Sequence, residues 1–259
     1  MMQELDLQTH LIPCLSDNYA VLLHEANSGQ TILVDVPDEA PILAVLEEKG
    51  WPLTHILITH HHWDHVQGLE KVKAETGAKV YGPKASMDKV PLIDHGLEDG
   101  DEISFAESIL YALGTEGHTL DHLSYWMPEG EIAFTGDTLF SMGCGRVFEG
   151  TLRDMWFAVD KLAKLPPETT IFCGHEYTKA NGDFCLSIEP DNEFLKRRMA
   201  EVEALRAEGK PTIPTNILEE RATNTFIRAN EPALKKALGM EDKEDWEVFA
   251  EIRTRKDNF

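Results

Sequence analysis

Residues 55–68 read HILITHHHWDHVQG, and the way this stretch is parsed decides the fold. His55 to Thr59 has the apolar, β-branched composition of a short buried strand. It stops abruptly at a run of imidazoles and one carboxylate, and a helical pattern opens at Val66. A strand that empties into polar ligands and passes straight into a helix is how α/β domains build sites at strand ends. In extended backbone His60 and His62 project to one side and His61 and Trp63 to the other. Asp64 and His65 fall at the turn into the helix.

Outward from this segment, further strands are expected at Tyr19–His24, Thr31–Asp35, Lys79–Tyr81, Ile109–Leu113, His122–Trp126, Ile132–Phe134 and Thr170–Cys173. Helical patterns lie between some of them: Ala40–Lys49 before Gly50, Val66–Thr76 before Gly77, and Leu152–Leu165 before Pro166-Pro167. After about Asn181 the strand-like runs stop. Asn192–Glu208 carries Phe194, Leu195, Met199, Val202 and Leu205 at helical spacing, a second helix is expected from Glu231 and a third from Asp242 to the end. The expectation is therefore an α/β domain over residues 1–180 and a small all-α domain over 181–259.

Composition narrows the function classes. The 46 acidic and 24 basic side chains give a formal charge of -22, which repels phosphate backbones and anionic membranes, so an anionic substrate needs a local basic patch. The four cysteines, Cys14, Cys144, Cys173 and Cys185, form no CxxC pair and indicate neither a disulfide framework nor a thiolate zinc site. No run of eighteen apolar residues occurs, and the start lacks a basic segment followed by an apolar one. A soluble, cytoplasmic, monomeric protein is expected.

Three more candidate ligands stand where strands end: His118 after ILYALGTEG, Asp137 in IAFTGDT and His175 in TIFCGH. Five imidazoles and two carboxylates are too many for one tetrahedral ion. Two divalent ions fit, His60, His62 and His118 on one, Asp64, His65 and His175 on the other, with Asp137 bridging. Imidazole with carboxylate suits zinc, and iron or manganese share such ligands. The other histidines, His10, His24, His55, His61, His95 and His122, read as surface or hydrogen-bonded core residues, and Cys144 has no neighbouring base to make it a nucleophile.

These motifs, THHHWDH at 59–65, Gly117-His118-Thr119, Gly136-Asp137-Thr138 and Gly174-His175, resemble the metallo-β-lactamase superfamily. SDNYAVLLHE at 16–25, GCGRVFEGT at 143–151, CGHEYT at 173–178, ERATNTFIR at 220–228 and the final RTRKDNF are similar to the glyoxalase II, or hydroxyacylglutathione hydrolase, family. The resemblance implies a four-layer αββα sandwich, a helical C-terminal domain and two metals. It implies hydrolysis of S-D-lactoylglutathione to D-lactate and glutathione, the second step of methylglyoxal degradation, by a hydroxide bridging the ions. It also implies a glutathione cradle of Arg146, Phe148, Tyr177, Arg253 and Lys256, the last two three apart on one helix. The chain departs from the family's pattern at Phe148, where tyrosine is common, at Arg146, where lysine is common, and at Thr225, where proline is common. Arg255 keeps the reading of a solvated charge.

On this reading Asp64 and Asp137 are ligands rather than proton acceptors. The alternatives are an iron-dependent glutathione persulfide dioxygenase of the same superfamily, which shares the histidine cluster, and a metal-binding scaffold without catalysis. A β-lactamase is disfavoured by the missing export signal and a nuclease by the net charge.

Overall fold

Residues 5–259 are described by the computed structural model, and they divide into two compact units. The first comprises the chain through Gly114 together with Asp121–Gly136, and the second comprises Thr115–Leu120 and Asp137–Phe259. Residues 1–4, within the start whose composition bears on an export segment, lie outside the described residues.

The first unit opens with an antiparallel meander, β1 (Leu7–Cys14), β2 (Asn18–Glu25) and β3 (Gln30–Val34). Helix α1 (Glu39–Lys49) then crosses to β4 (His55–Leu57), which runs parallel to β3. Asp38 caps α1 by accepting from the Ala40 amide at 3.0 Å, and Gly50 closes it in the left-handed conformation. Helices α2 (Trp63–Val66) and α3 (Leu69–Thr76) lead to β5 (Lys79–Pro83), parallel to β4, and β6 (His95–Leu97) follows parallel to β5. Ile42 and Leu46 of α1 and Leu69 and Val72 of α3 share one core cluster with Leu22, Leu33, Ile56 and Val80 of the sheet. Strands buried on both faces read as continuous apolar runs, which is why β3 and β4 were legible.

A second antiparallel series in the same unit consists of β7 (Glu102–Phe105), β8 (Ser108–Gly114), β9 (Leu123–Met127) and β10 (Ile132–Gly136). It meets the end of β4 through the Leu123 amide, which donates to the Thr59 carbonyl at 2.8 Å, and through Tyr125, whose hydroxyl donates to the Ile58 carbonyl at 2.6 Å.

Several elements differ from the sequence expectation. The helix expected over Val66–Thr76 is two helices, interrupted at Gly68, because the backbone of Asp38 and Glu39 lies there: a Cβ on Gly68 would sit 2.7 Å from the Glu39 nitrogen. Strands β1, β6 and β7 have no counterpart among the expected strands: β1 is only partly buried and contains Pro13, a residue tolerated on a strand edge, and β6 and β7 are three and four residues long.

The second unit begins with a hairpin of β11 (Leu139–Phe140) and β12 (Gly143–Cys144). Helix α4 (Leu152–Ala163) follows, its start fixed by a capping box between Thr151 and Asp154. β13 (Thr170–Cys173) leads to α5 (Thr178–Ile188) and α6 (Glu193–Ala207). β14 (Thr215–Asn216) returns to pair antiparallel with β13, so strand structure does not end at Asn181 as expected. A two-residue strand carries no periodicity to read. Helices α7 (Ile217–Thr223), α8 (Pro232–Leu238) and α9 (Asp245–Asp257) complete the chain. Trp156 of α4 packs on Phe249 of α9 at 5.7 Å, and Phe226 bridges Phe249 and Phe184, giving these helices one aromatic core. Among the described residues no helix is long and apolar enough to cross a membrane.

Glu220 of α7 is wholly buried in this unit, and burial pushes its carboxyl up to about 7 although Thr215, Asn224 and the Met142 amide all donate to it; the neighbouring Glu219 charge pushes the same way as burial. A carboxyl raised in the folded state contributes stability that is present below its unfolded pKa and is lost as pH rises through the folded one. At about 1.4 kcal/mol per pH unit the loss is on the order of 3 kcal/mol between pH 4.5 and 7. Urea midpoints should therefore show wild type losing ground to Glu220→Gln as pH rises across that window. Parallel curves for the two proteins would contradict it.

Candidate metal centre

The ligand-rich loop after β4 is built by short-range geometry. His60, His62 and His65 bring their rings together in the first unit, His60 lying 4.7 Å from His62 and 4.2 Å from His65 between centroids. The Asp64 Oδ2 oxygen is 3.7 Å from His65 Nε2. Gly136, which precedes Asp137, has φ +47°, and a Cβ there would meet His122 Nε2 at 2.7 Å and Thr59 Oγ1 at 2.8 Å, so the position admits only glycine.

What prepares these imidazoles is the proton on their other nitrogen. His65 Nδ1–H donates to Asp35 Oδ2 at 2.7 Å. Thr59 donates to the same carboxylate from both its amide and its hydroxyl, each at 2.8 Å, so that the hydroxyl's lone pair is left to accept from His60 Nδ1–H at 3.0 Å. With Nδ1 protonated, Nε2 carries the lone pair that a metal needs. Asn18 donates to Asp64 Oδ2 at 2.9 Å and to its carbonyl at 3.1 Å, fixing that carboxylate in turn.

The second unit holds its own ligand group. His118 Nδ1–H donates to the Arg146 carbonyl at 2.7 Å, which points Nε2 at Asp137 Oδ2, 3.5 Å away. His175 Nε2 stands 3.2 Å from the same Oδ2 oxygen. A neutral His118 then turns its lone-pair nitrogen toward a carboxylate oxygen, an arrangement that a shared cation would stabilise. The edge of a tetrahedron with bonds of about 2.0–2.1 Å is about 3.3–3.4 Å, the separation of zinc ligands. The two Asp137 contacts match that spacing, and one oxygen serving two imidazoles suits a shared ligand. Gly145 is required beside it, because a Cβ would strike the Asp137 carbonyl.

The expected cradle residues also fall in this unit. Tyr177 stacks flat on the His175 ring, 4.8 Å between centroids and 4° from parallel, and Phe148 meets the His118 ring edge-on at 5.2 Å. Both are exposed enough to touch a ligand, at 38% and 61%. Arg146 is exposed, with Nε 3.4 Å from Asp257 Oδ1. Lys256 donates to the Ala180 carbonyl at 2.7 Å, and burial, then the Arg253 charge, lowers its ammonium below the ordinary value. Arg253 differs from its expected partner on the helix: it is buried, donating to the Cys144 carbonyl and to Asp257, each at 2.9 Å. Arg255 pairs with Glu251 in solvent.

Residues outside the ligand set have engagements of their own. His61 Nδ1 bonds Asp121 at 2.8 Å, and Ser86 donates to the same carboxylate, so His61 belongs to a separate hydrogen-bond network although its ring lies 5.3 Å from that of His62. Burial pushes the Cys144 thiol up to about 11, against the Arg253 charge, which leaves it inert as a nucleophile. Sequence reasoning missed Asp35 and Asn18. The available signals were an acid at the end of an apolar strand, ILVD, and the polar SDN turn before β2.

The chain is similar to known proteins. A family model described as metallo-beta-lactamase superfamily matches residues 15–175, and one described as hydroxyacylglutathione hydrolase C-terminus matches 176–259. The chain is 50% identical over 253 residues to a hydroxyacylglutathione hydrolase of Cereibacter sphaeroides, covering 98% of this chain and 99% of that protein. It is 50% identical over 254 residues to the hydroxyacylglutathione hydrolase of Maricaulis maris, with the same coverage. Among solved structures it is similar to ETHE1 from Myxococcus xanthus, at 24% identity with a TM-score of 0.66 over 96% of this chain and 89% of the other. The BLEG-1 B3 metallo-beta-lactamase shows the same TM-score at 18% identity over 85% and 99%. At those identities the two structures share a fold and nothing more specific.

Asp35 should matter to metal binding without touching metal. Asp35→Asn places an amide where three donors converge and favours the wrong His65 tautomer, so zinc affinity should fall about 10–100-fold in chelator competition. Unchanged affinity would remove Asp35 from this role.

Proposed function

The chain belongs to the metallo-beta-lactamase superfamily and, within it, to the hydroxyacylglutathione hydrolases, and from that membership we infer that it hydrolyses 2-hydroxyacyl thioesters of glutathione, S-D-lactoylglutathione among them. The products are the free hydroxy acid and glutathione. The observation that supports the reading is that Tyr177 stacks on the His175 imidazole and Phe148 meets the His118 imidazole edge-on, so that both side chains are suited to hold a substrate beside the proposed ligands.

His60, His62 and His118 are assigned to one divalent ion and Asp64, His65 and His175 to a second, with Asp137 shared. The donor set is nitrogen and oxygen only, and the 3.2 Å and 3.5 Å spacings about Asp137 favour zinc. When bound, such ions supply Lewis acidity to the thioester carbonyl and bring the pKa of water towards neutrality.

The remaining work belongs to the chain. Asp64 and Asp137 hold metal and do not accept the proton, because a carboxylate committed to a dication is a poor base. No side chain is needed to protonate the leaving group, since a thiol with a pKa of about 8.5 departs as thiolate. Glutathione carries two carboxylates, and Arg146 and Lys256 offer charge to them while Arg253 adds its charge from beneath the hairpin. Tyr177 and Phe148 supply flat surface that restricts the acyl end. Phe148 has no hydroxyl, so orientation there rests on contact rather than on a hydrogen bond. Residues 1–180 are assigned to catalysis and 181–259 to substrate, acting as a monomer in the cytoplasm, where the four free and buried cysteines stay reduced.

Asp137→Ala should abolish turnover and lower the metal content of the purified protein; full activity with both metals retained would refute the shared-ligand assignment. Lys256→Ala should raise KM for S-D-lactoylglutathione about tenfold with kcat within about twofold, as loss of one charged contact requires. Free-thiol release on a panel of glutathione thioesters is the direct assay, and no release from any of them would refute the function.

A further inference from the structure

The hairpin Leu139–Cys144 stands between two functional points of the second unit. It begins two residues after Asp137 and ends two before Arg146, whose carbonyl accepts from His118 Nδ1–H. Its own two strands are short, and Met142 at the turn has φ +53°, an unfavourable conformation for a residue with a Cβ. Something outside the hairpin has to hold it.

The helices that follow do so, almost atom by atom. Asn224 Nδ2 donates to the Phe140 carbonyl at 3.3 Å and to the Gly143 carbonyl at 3.0 Å. Asn181 donates to the Ser141 carbonyl at 3.3 Å, the Cys185 thiol to the Met142 carbonyl at 3.2 Å, and Arg253 to the Cys144 carbonyl at 2.9 Å. Glu220 Oε2 accepts from the Met142 amide at 2.8 Å and from Asn224 Nδ2 at 2.9 Å. Asn224 and Glu220 are both fully buried, and Asn224 Oδ1 is occupied by the Phe226 amide at 3.0 Å. Side chains from α5, from α7 and its C-cap, and from α9 thus converge on this hairpin, and Asn224 grips both strands.

We propose that Asn224, braced by Glu220, is a positioning residue of the metal centre: it fixes the hairpin so that the Arg146 carbonyl keeps His118 in the tautomer and orientation that aim Nε2 at Asp137. Buried polar groups always need partners, but these partners lie on the one segment whose displacement would release His118. The ERATN stretch is then part of the metal site's support and not only of the helical core. The inference rests on His118 and Asp137 being ligands.

The test uses the full-length holoenzyme and zinc as the probe. Asn224→Asp keeps the shape and the acceptor for the Phe226 amide but removes the donors to Phe140 and Gly143. Zinc affinity, read by competition with a chromophoric chelator, should fall about 10–100-fold, with KM for the thioester within about twofold. Asn216→Ala removes the cap that accepts from the Glu219 amide on the same helix without touching the hairpin. It should lower Tm and leave zinc affinity unchanged. If Asn224→Asp does not fold, Glu220→Ala should show the zinc defect and Glu220→Gln, which can still accept from Met142, should restore it. Wild-type zinc affinity in Asn224→Asp or Glu220→Ala overturns the proposal, as does an equal loss in Asn216→Ala. His118→Ala separates the two readings: retention of all zinc there refutes the ligand assignment, whereas zinc loss there with none in Asn224→Asp refutes only the positioning role.

Discussion

Asp35 accepts three hydrogen bonds, from the Thr59 amide, the Thr59 hydroxyl and His65 Nδ1, and much of the site follows from them. The carboxylate ties the end of β3 to the end of β4 and to α2 in one step. Because the Thr59 hydroxyl spends its hydrogen on Asp35, it can only accept from His60, and the tautomers of two imidazoles are set by a single buried acid. A histidine loop without such an anchor would be a flexible chelator. With it, Nε2 atoms arrive already deprotonated and aimed, so little ordering remains when a cation binds.

The second unit solves the same problem with backbone in place of a carboxylate. His118 is held by the Arg146 carbonyl, and a carbonyl is only as well placed as the chain that carries it. That is why so many side chains of the helical region end on the hairpin before Arg146. Close approach of backbone also explains two glycines that sequence alone presents as punctuation: Gly136 lets His122 and Thr59 approach, and Gly145 lets the chain pass against the Asp137 carbonyl.

How much of this could be read in advance depends on where each partner lies. His60, His62, Asp64 and His65 are nearly contiguous, and their spacing on a strand end carries the chemistry openly. The buried strands and the bounded helices were legible for the same local reasons: Gly50, Gly77 and the Pro166-Pro167 pair act within a few residues. Asp35, Asn18, Glu220 and Asn224 were not, because each acts on a residue or a carbonyl 24 to 84 positions away, and a carbonyl leaves no mark in a sequence. Gly68 broke a helix for a similar reason, since the obstacle is the backbone of a different element. Helical spacing sets Arg253 and Lys256 three apart on α9, but it says nothing about depth, and depth is what separates a buried arginine donating to the Cys144 carbonyl from a half-buried lysine donating to the Ala180 carbonyl.

Depth also bears on how an acidic protein manages an anionic substrate. The net charge of -22 makes the average surface repulsive to glutathione, so binding requires cations gathered closely enough to act within a Debye length. In the function proposed above, Arg146, Arg253 and Lys256 are assigned to supply them, and Asp257 stands among them with Oδ1 2.9 Å from Arg253 and 3.4 Å from Arg146. That carboxylate prevents the two guanidinium groups from repelling one another in the absence of ligand, and it keeps Arg253 under the hairpin. What the fold asks of this arginine is a hydrogen bond to the Cys144 carbonyl, and the charge it is proposed to lend a substrate has to be exerted from that buried position.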